Sequence, residues 1–139
     1  MRGIARRAFM IGAYLVVASV LVQFLLAGLG VFDAFSFFFW HATVNAAVVG
    51  LLPLLLVPVG LLGRVPGRLL GLAGAIFGLV IVQSLLLVPY HTNAQGVLRA
   101  VSGLHVLNAL LILWVALQLL DGSRRLGRPG AEPVKTETG

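Results

Sequence analysis

Residues 8–32, AFMIGAYLVVASVLVQFLLAGLGVF, contain no charged side chain. About 20 consecutive apolar residues cross the hydrocarbon core of a bilayer as an α-helix, so this stretch predicts a membrane-spanning helix. Similar charge-free windows recur along the chain, in which only 10% of the 139 residues are charged. In soluble domains charged residues make up about a quarter of the chain. The sequence therefore predicts an integral membrane protein.

The charge-free windows account for nearly the whole chain. The expected fold class is all-α, a polytopic membrane four-helix bundle formed by residues 8–120. A basic N-terminus, residues 1–7, precedes this domain, and a polar tail with Pro and Gly, residues 121–139, follows it and is expected to be disordered. The transmembrane helices are expected at about 8–30, 36–61, 69–90 and 99–120.

Most basic residues fall on one side of such a chain. Arginines precede the first segment, lie between the second and third, and follow the fourth, which leaves only Arg99 on the opposite side. The positive-inside rule then predicts a multi-pass cell-membrane protein with both termini in the cytoplasm. The net charge of +6 is thus explained by arginines that orient the protein in the lipid bilayer, its expected partner. It does not indicate binding to nucleic acid. A redox partner or a larger membrane complex is compatible with this placement, and no residue pattern defines an oligomeric state.

Two stretches, FWHATVNAAV (39–48) and GLHVLNALLI (103–112), carry the same polar pair in an apolar context. In each, an asparagine follows a histidine within about one helical turn. A glutamine precedes each histidine, in VLVQFLL and in LVIVQSLL, and the loop PYHTNAQG absorbs the longer interval of the second half. We therefore predict a bundle built from two parallel helix-pair repeats. The matched pairs are Gln23 with Gln83, His41 with His105, and Asn45 with Asn108.

The matched residues are also expected at one depth. At about 1.5 Å of rise per residue, His41 and His105 lie roughly 7–10 Å inside the outer ends of their helices. Gln23 and Gln83 reach a similar level. Polar side chains at such depth are costly and usually mark a functional site. If the second and fourth helices are diagonal in the bundle, the two imidazoles can face each other.

Two opposed imidazoles suit the iron of a porphyrin, which takes axial ligands on both faces. The chain has no cysteine, which excludes disulfides, thiolate ligands and iron–sulfur clusters. The predicted cofactor is one haem b, with His41 and His105 as axial ligands of the haem iron. Two filled axial positions favour electron transfer or haem handling over oxygen chemistry. No residue set for hydrolysis or group transfer is present, so the sequence favours a non-enzymatic protein, with an electron-transfer cytochrome as the candidate.

Further residues complete the predicted site. An iron-bound imidazole usually donates its second N–H to a partner, and the candidate partners are Gln23, Gln83, Asn45 and Asn108. Arg99 is positioned either to pair with a haem propionate or to extend to lipid headgroups. His91 is a weaker candidate metal ligand, for which a solvated interfacial histidine is the simpler interpretation. Gly71, Gly74 and Gly78 form a small-residue stripe that is expected to pack within the bundle.

The segments VQFLLAGLGVF…WHATVN and VQSLLLVPY…GLHVLNALL resemble one four-helix half of haem A synthase-type membrane proteins, over about residues 10–118. The chain is also similar to small four-helix bacterial membrane proteins of unknown function. The first resemblance implies that His41 and His105 are the axial pair. The approach SFFFWH lacks the acidic residue of that family, and its outward-loop cysteine pair and second half are absent. The resemblance therefore implies haem binding and not haem oxidation.

A second interpretation belongs to another class. The polar layer could instead join the helices of a cofactor-free accessory or assembly subunit, since interhelical polar contacts contribute about 0.6–2 kcal/mol each in membranes. A transporter or proton-conducting pore is a weaker alternative, because it requires ionisable groups along the whole depth of the membrane. Here such groups are expected only in the outer third.

Overall fold

The computed structural model describes residues 1–126, which are helical apart from short connections. Within this range four helices are long and apolar enough to cross a membrane, as predicted. They are α1 (Arg2–Phe32), α2 (Phe37–Gly63), α3 (Gly67–His91) and α4 (Val97–Arg125). The prediction of an all-α protein with four membrane-length helices is confirmed.

Three of the helices contain an irregular turn. α2 includes a π-helical stretch, Asn45–Gly50, and α3 consists of a main part, Gly67–Leu86, followed by the short turn Val88–His91. α4 begins with the short segment Val97–Val101 and continues as Leu104–Arg125. The irregular turns of α3 and α4 lie at the same end of the bundle as the connections 33–36 and 92–96, which we call the loop end. The opposite end, where α1 begins and α4 ends, is called the basic end.

The helices pack as a ring in which each contacts its neighbours in chain order and α4 contacts α1. This order places α2 and α4 on one diagonal of the bundle, the arrangement that allows residues on these two helices to meet at its centre.

Buried stripes of α1 and α3 form much of the core. Their positions recur three or four residues apart, the spacing of one helix face. Buried at matching positions are Phe9, Ala13, Val16, Val20 and Gln23 on α1, and Leu69, Ala73, Ile76, Val80 and Gln83 on α3, while α1 also buries Gly12, Ser19 and Gly30. Because each stripe ends in a glutamine, the fold itself directs Gln23 and Gln83 into the bundle.

The end of α4 differs from the expected boundary. The helix continues to Arg125 instead of ending at residue 120, and Arg125 donates to the Asp121 carboxylate at 2.8 Å, one turn earlier. Arginines in the last turn also interact favourably with the helix dipole, which explains the extension. Residues 127–139 of the predicted tail lie outside the described residues.

The small-residue stripe of α3 does not pack within the bundle, so that expectation is wrong. A Cβ built on Gly71, Gly74 or Gly78 meets no other atom within 4 Å. The close helix contacts are made elsewhere, for example at Gly60, where a Cβ would lie 2.9 Å from the ring of Phe9. The buried face of α3 is the stripe ending in Gln83, and the glycines fall on its other side.

Candidate functional site

The imidazoles of His41 and His105 meet at the centre of the bundle. Their ring centroids are 6.2 Å apart and the ring planes are inclined by 55°. His41 lies on α2, one turn before the π-helical stretch, and His105 lies in the first turn of the main part of α4. Both side chains are half-buried. The diagonal arrangement of α2 and α4 therefore brings the two predicted ligands together.

Each histidine is held from its Nδ1 side by a neighbouring helix. The Nδ1 atom of His41 lies 3.1 Å from the backbone carbonyl of Gln23, and that of His105 lies 3.4 Å from the carbonyl of Gln83. A carbonyl oxygen only accepts hydrogen bonds, so Nδ1 is the protonated nitrogen and donates in both rings. The Nε2 atoms consequently carry the ring lone pairs, which is the tautomer that a metal-binding histidine needs.

His105 belongs to a network of hydrogen bonds between side chains. The amide nitrogen of Gln83 donates to Nε2 of His105 at 3.1 Å. The amide oxygen of Gln83 accepts a hydrogen bond from Asn108, which also donates to the Leu79 carbonyl at 2.9 Å. Asn108 therefore orients Gln83 and does not contact the imidazole itself.

The corresponding surroundings of His41 are different. The side chain of Gln23 is only 7% exposed, and neither its amide nitrogen nor its amide oxygen has a partner among the described residues. An unpaired buried polar group costs about 1–3 kcal/mol, so such a group is seldom left without a function. Asn45 faces the same space, and its side chain forms no hydrogen bond within residues 1–126.

Two cavities adjoin the histidine pair. The deep cavity has a volume of about 140 Å³, and Gln23, Asn45, Gln83 and both histidines line it together with apolar residues. The rim cavity, of about 430 Å³, extends from the same two histidines toward the loop end. Ligand sites usually have volumes of about 300–1,000 Å³, a range that the rim cavity reaches by itself and that the deep cavity extends. A ligand of that size would therefore lie alongside both imidazoles.

The remaining predicted residues lie at the rim. His91 is exposed, lines the rim cavity and lies 5.7 Å from the ring of Tyr90. The guanidinium of Arg99 lies over the Tyr90 ring, 5.5 Å from its centroid. Since Tyr90 lines the rim cavity, Arg99 lies one side chain away from it.

Several lining residues have no strong signal in the sequence. Ser102 lines the rim cavity with a buried hydroxyl that has no partner within the described part of the chain. The ring of Phe38 meets that of His41 edge to face, 6.5 Å between centroids. Ala27 and Ala109 lie one helical turn after Gln23 and His105, where a small side chain leaves room for the deep cavity. In the sequence, this i, i+4 spacing from a polar residue is the signal that could have identified the two alanines as lining residues.

The donor set limits the chemistry of the site. Within residues 1–126 no group of three or more His, Cys, Asp or Glu side chains could hold a metal ion. The two imidazoles provide neutral nitrogen donors without a nearby carboxylate. This set is insufficient for a bare ion and fits a metal that arrives with its other ligands, as in a metalloporphyrin.

Comparison with known proteins gives one match. The model of a family of unknown function (DUF6220) matches residues 23–92. No curated protein and no solved structure matches the chain. The matched segment contains Gln23, His41 and Gln83 and ends before His105.

Proposed function

The chain belongs to this family of unknown function (DUF6220), and we propose that it is a membrane protein that binds one haem b between His41 and His105. Its role is electron transfer or haem handling.

The observation that carries this proposal is the spacing of the two imidazoles. A metal–imidazole bond is about 2 Å long, so a single metal could be held by two rings whose centroids are about 6 Å apart. The observed separation is 6.2 Å. The Nδ1 atoms donate to the carbonyls of Gln23 and Gln83, so the Nε2 atoms carry the lone pairs that could bind a metal, and that of His105 accepts a hydrogen bond from Gln83 in its absence. The donor set, the tautomers and the spacing thus fit the group.

The residues around the pair have distinct roles in this proposal. The carbonyls of Gln23 and Gln83 orient the imidazoles and raise their basicity. The Gln83 amide would have to release Nε2 of His105 for that nitrogen to hold iron, and Asn108 would keep its hydrogen bond to the Leu79 carbonyl. Bound haem supplies a one-electron redox centre. Arg99 would pair with a haem propionate, for which its guanidinium would have to leave the Tyr90 ring.

The proposed parallel repeat is supported by the buried positions. The α1 stripe from Phe9 to Gln23 and the α3 stripe from Leu69 to Gln83 have the same spacing throughout. In α2 and α4, the intervals from Val49 to Leu56 and from Ile112 to Leu119 are also equal.

The π-helical stretch fits the same repeat. One more residue separates His41 from Val49 than separates His105 from Ile112. A π-helical turn accommodates a single extra residue within an α-helix, and such turns are frequent at functional sites. The stretch Asn45–Gly50 lies in this interval and keeps His41 turned toward His105.

The placement in the cell follows from charge. We infer that the basic end faces the cytoplasm, so that the haem site lies in the outer half of the cell membrane. A redox partner, or a larger membrane complex, would then approach the loop end. The resemblance to one half of haem A synthase-type proteins supports haem binding in this proposal and provides no support for oxidation of the haem.

A cofactor-free accessory or assembly subunit is the second candidate. The hydrogen bonds linking His105, Gln83 and Asn108 favour it, because they satisfy these polar groups without a ligand. Gln23 argues against it, since a side chain that only joins helices would have a partner for its amide.

An optical spectrum of the detergent-purified protein tests the proposal. We expect a reduced low-spin haem b spectrum after dithionite, with a pyridine haemochrome content near one haem per chain. A colourless protein that also fails to take up added haem would contradict haem binding and leave the accessory subunit as the better interpretation.

A further inference from the structure

A third cavity lies at the basic end, between the start of α1 and the end of α4. Its volume is about 250 Å³, and its lining residues are Gly3, Arg6, Arg7, Met10, Ser123 and Leu126. The arginines of this cavity lie about 25 Å from Gln23 along the axis of α1. The cavity is therefore separate from the histidine site. Two arginines and apolar side chains line the same space.

The guanidinium of Arg6 is fixed by the neighbouring helix. Its Nε donates to the carbonyl of Gly63, the last residue of α2, at 2.9 Å. The approach is close, because a Cβ on Gly63 would lie 3.3 Å from the Arg6 backbone nitrogen, and glycine accommodates it without a shift. This bond uses one donor of the guanidinium and leaves its terminal NH₂ groups, which are suited to bidentate binding of a phosphate.

The electrostatics of the basic end favour an anion. α1 and α3 both begin there, and neither has a side-chain cap or an acidic residue in its first turn. The negative ends of the α2 and α4 dipoles lie at the same end, so its positive character comes from the arginines and not from the helix dipoles. Among the described residues of this end, Asp121 carries the carboxylate, and its negative charge is paired with Arg125.

The apolar lining indicates the class of anion. Met10 and Leu126 form an apolar side of the cavity beside Arg6 and Arg7. Both arginines lie in the first two turns of the membrane-length helix α1. An amphiphilic ligand with a phosphate matches both kinds of lining, and basic pockets between transmembrane helices bind lipid headgroups. We propose that this cavity binds the phosphate of an anionic phospholipid through Arg6 and Arg7.

Lipid retention by the full-length, detergent-purified protein tests this site. Native mass spectrometry would measure the binding of phosphatidylglycerol, with phosphatidylcholine and inorganic phosphate as comparisons. Phosphatidylglycerol is expected to bind at least about tenfold more tightly than phosphatidylcholine, since each arginine near the headgroup contributes substantially. Equal binding of the two lipids would overturn the proposal, and inorganic phosphate binding as tightly as the lipid would assign the site to a free anion.

Matched variants separate the cavity from the general basic surface. Arg7→Gln is expected to reduce phosphatidylglycerol binding about fivefold, whereas Arg68→Gln, which removes an arginine at the same end on the diagonal helix α3, leaves it within about twofold. Arg6→Lys retains the positive charge but loses the paired N–H donors of the guanidinium, so it should weaken phosphatidylglycerol binding. The helix content measured by circular dichroism should be unchanged. Equal effects of Arg7→Gln and Arg68→Gln would show diffuse attraction instead of a site.

Discussion

His41 and His105 lie on diagonal helices with ring centroids 6.2 Å apart, and each donates from Nδ1 to the backbone carbonyl of a glutamine. The ligand nitrogens are therefore free of the backbone in both rings. Of the two Nε2 atoms, that of His105 accepts a hydrogen bond from Gln83, whereas no described residue donates to that of His41.

Replacement of either ligand gives the most direct prediction. We expect His41→Ala and His105→Ala each to remove most of the haem b, because a single axial ligand holds the iron less firmly. The measurement is the pyridine haemochrome content of the purified variants. His91→Ala is the matched control, since His91 is exposed at the rim, and it should retain the cofactor. Unchanged haem content in both alanine variants would show that the iron is bound elsewhere.

The two glutamines are expected to respond oppositely to replacement by leucine. Gln83→Leu removes the partners of His105 and Asn108, so thermal unfolding in detergent should show a loss of about 1–2 kcal/mol in the cofactor-free protein. Gln23→Leu removes two unpaired buried atoms and should stabilise the cofactor-free protein by about 1 kcal/mol. The Gln23 backbone carbonyl remains, so this variant should still bind haem. A destabilised Gln23→Leu would favour the helix-joining interpretation.

Much of the site could be predicted from sequence because its residues stand out chemically. A histidine or glutamine in a charge-free apolar segment is rare, and one turn of a membrane helix has a known rise, so Gln23, His41, Gln83 and His105 were expected at one level. The structure brings these four together. The number of helices followed from hydropathy in the same way.

The remaining features depend on which way a side chain faces, which spacing alone does not determine. Asn108 donates to Gln83 instead of His105, and Asn45, where the π-helical stretch begins, lacks the hydrogen bonds of its counterpart. The glycines of α3 illustrate the same problem, since a small-residue stripe has the same sequence pattern whether it faces a neighbour or lipid.

The orientation of glycines in the bundle leads to a stability prediction. A Cβ on Gly60 would meet the Phe9 ring at 2.9 Å, so Gly60→Ala should destabilise the protein by about 1–3 kcal/mol. Gly74→Ala adds a methyl group in open space and should be neutral, or stabilise the helix by up to about 1 kcal/mol. Thermal unfolding of both variants in detergent measures the difference. A similar loss in Gly74→Ala would indicate that this face of α3 contacts another chain.

The orientation in the membrane can be measured with single cysteines, because the chain has none of its own. Gln95 lies in the exposed connection of the loop end, and Gly67 lies at the basic end with open space around it. The two variants are Gln95→Cys and Gly67→Cys. In intact cells a membrane-impermeant maleimide should label the first variant and not the second. After the cells are permeabilised, both should be labelled. The reverse pattern in intact cells would place the histidine site on the cytoplasmic side.

The extra residue of α2 gives a prediction about the repeat. Deletion of the exposed Ala46 makes the interval from His41 to Val49 equal to that from His105 to Ile112. We expect the π-helical stretch to become regular α-helix, with His41 still facing His105 and haem still bound. Haem content and circular dichroism of the deletion variant measure this.

Deletion of the exposed Leu111 in α4 is the matched control. α4 has no π-helical turn to absorb the loss, so His105 should rotate by about 100° relative to the buried Ile112 and Leu119. The imidazole would then leave the diagonal, and the variant should lose haem while it retains its helix content. If the Ala46 deletion lost haem as completely as the Leu111 deletion, the π-helical stretch would itself be required for the site, and α2 and α4 would not be equivalent halves of a repeat.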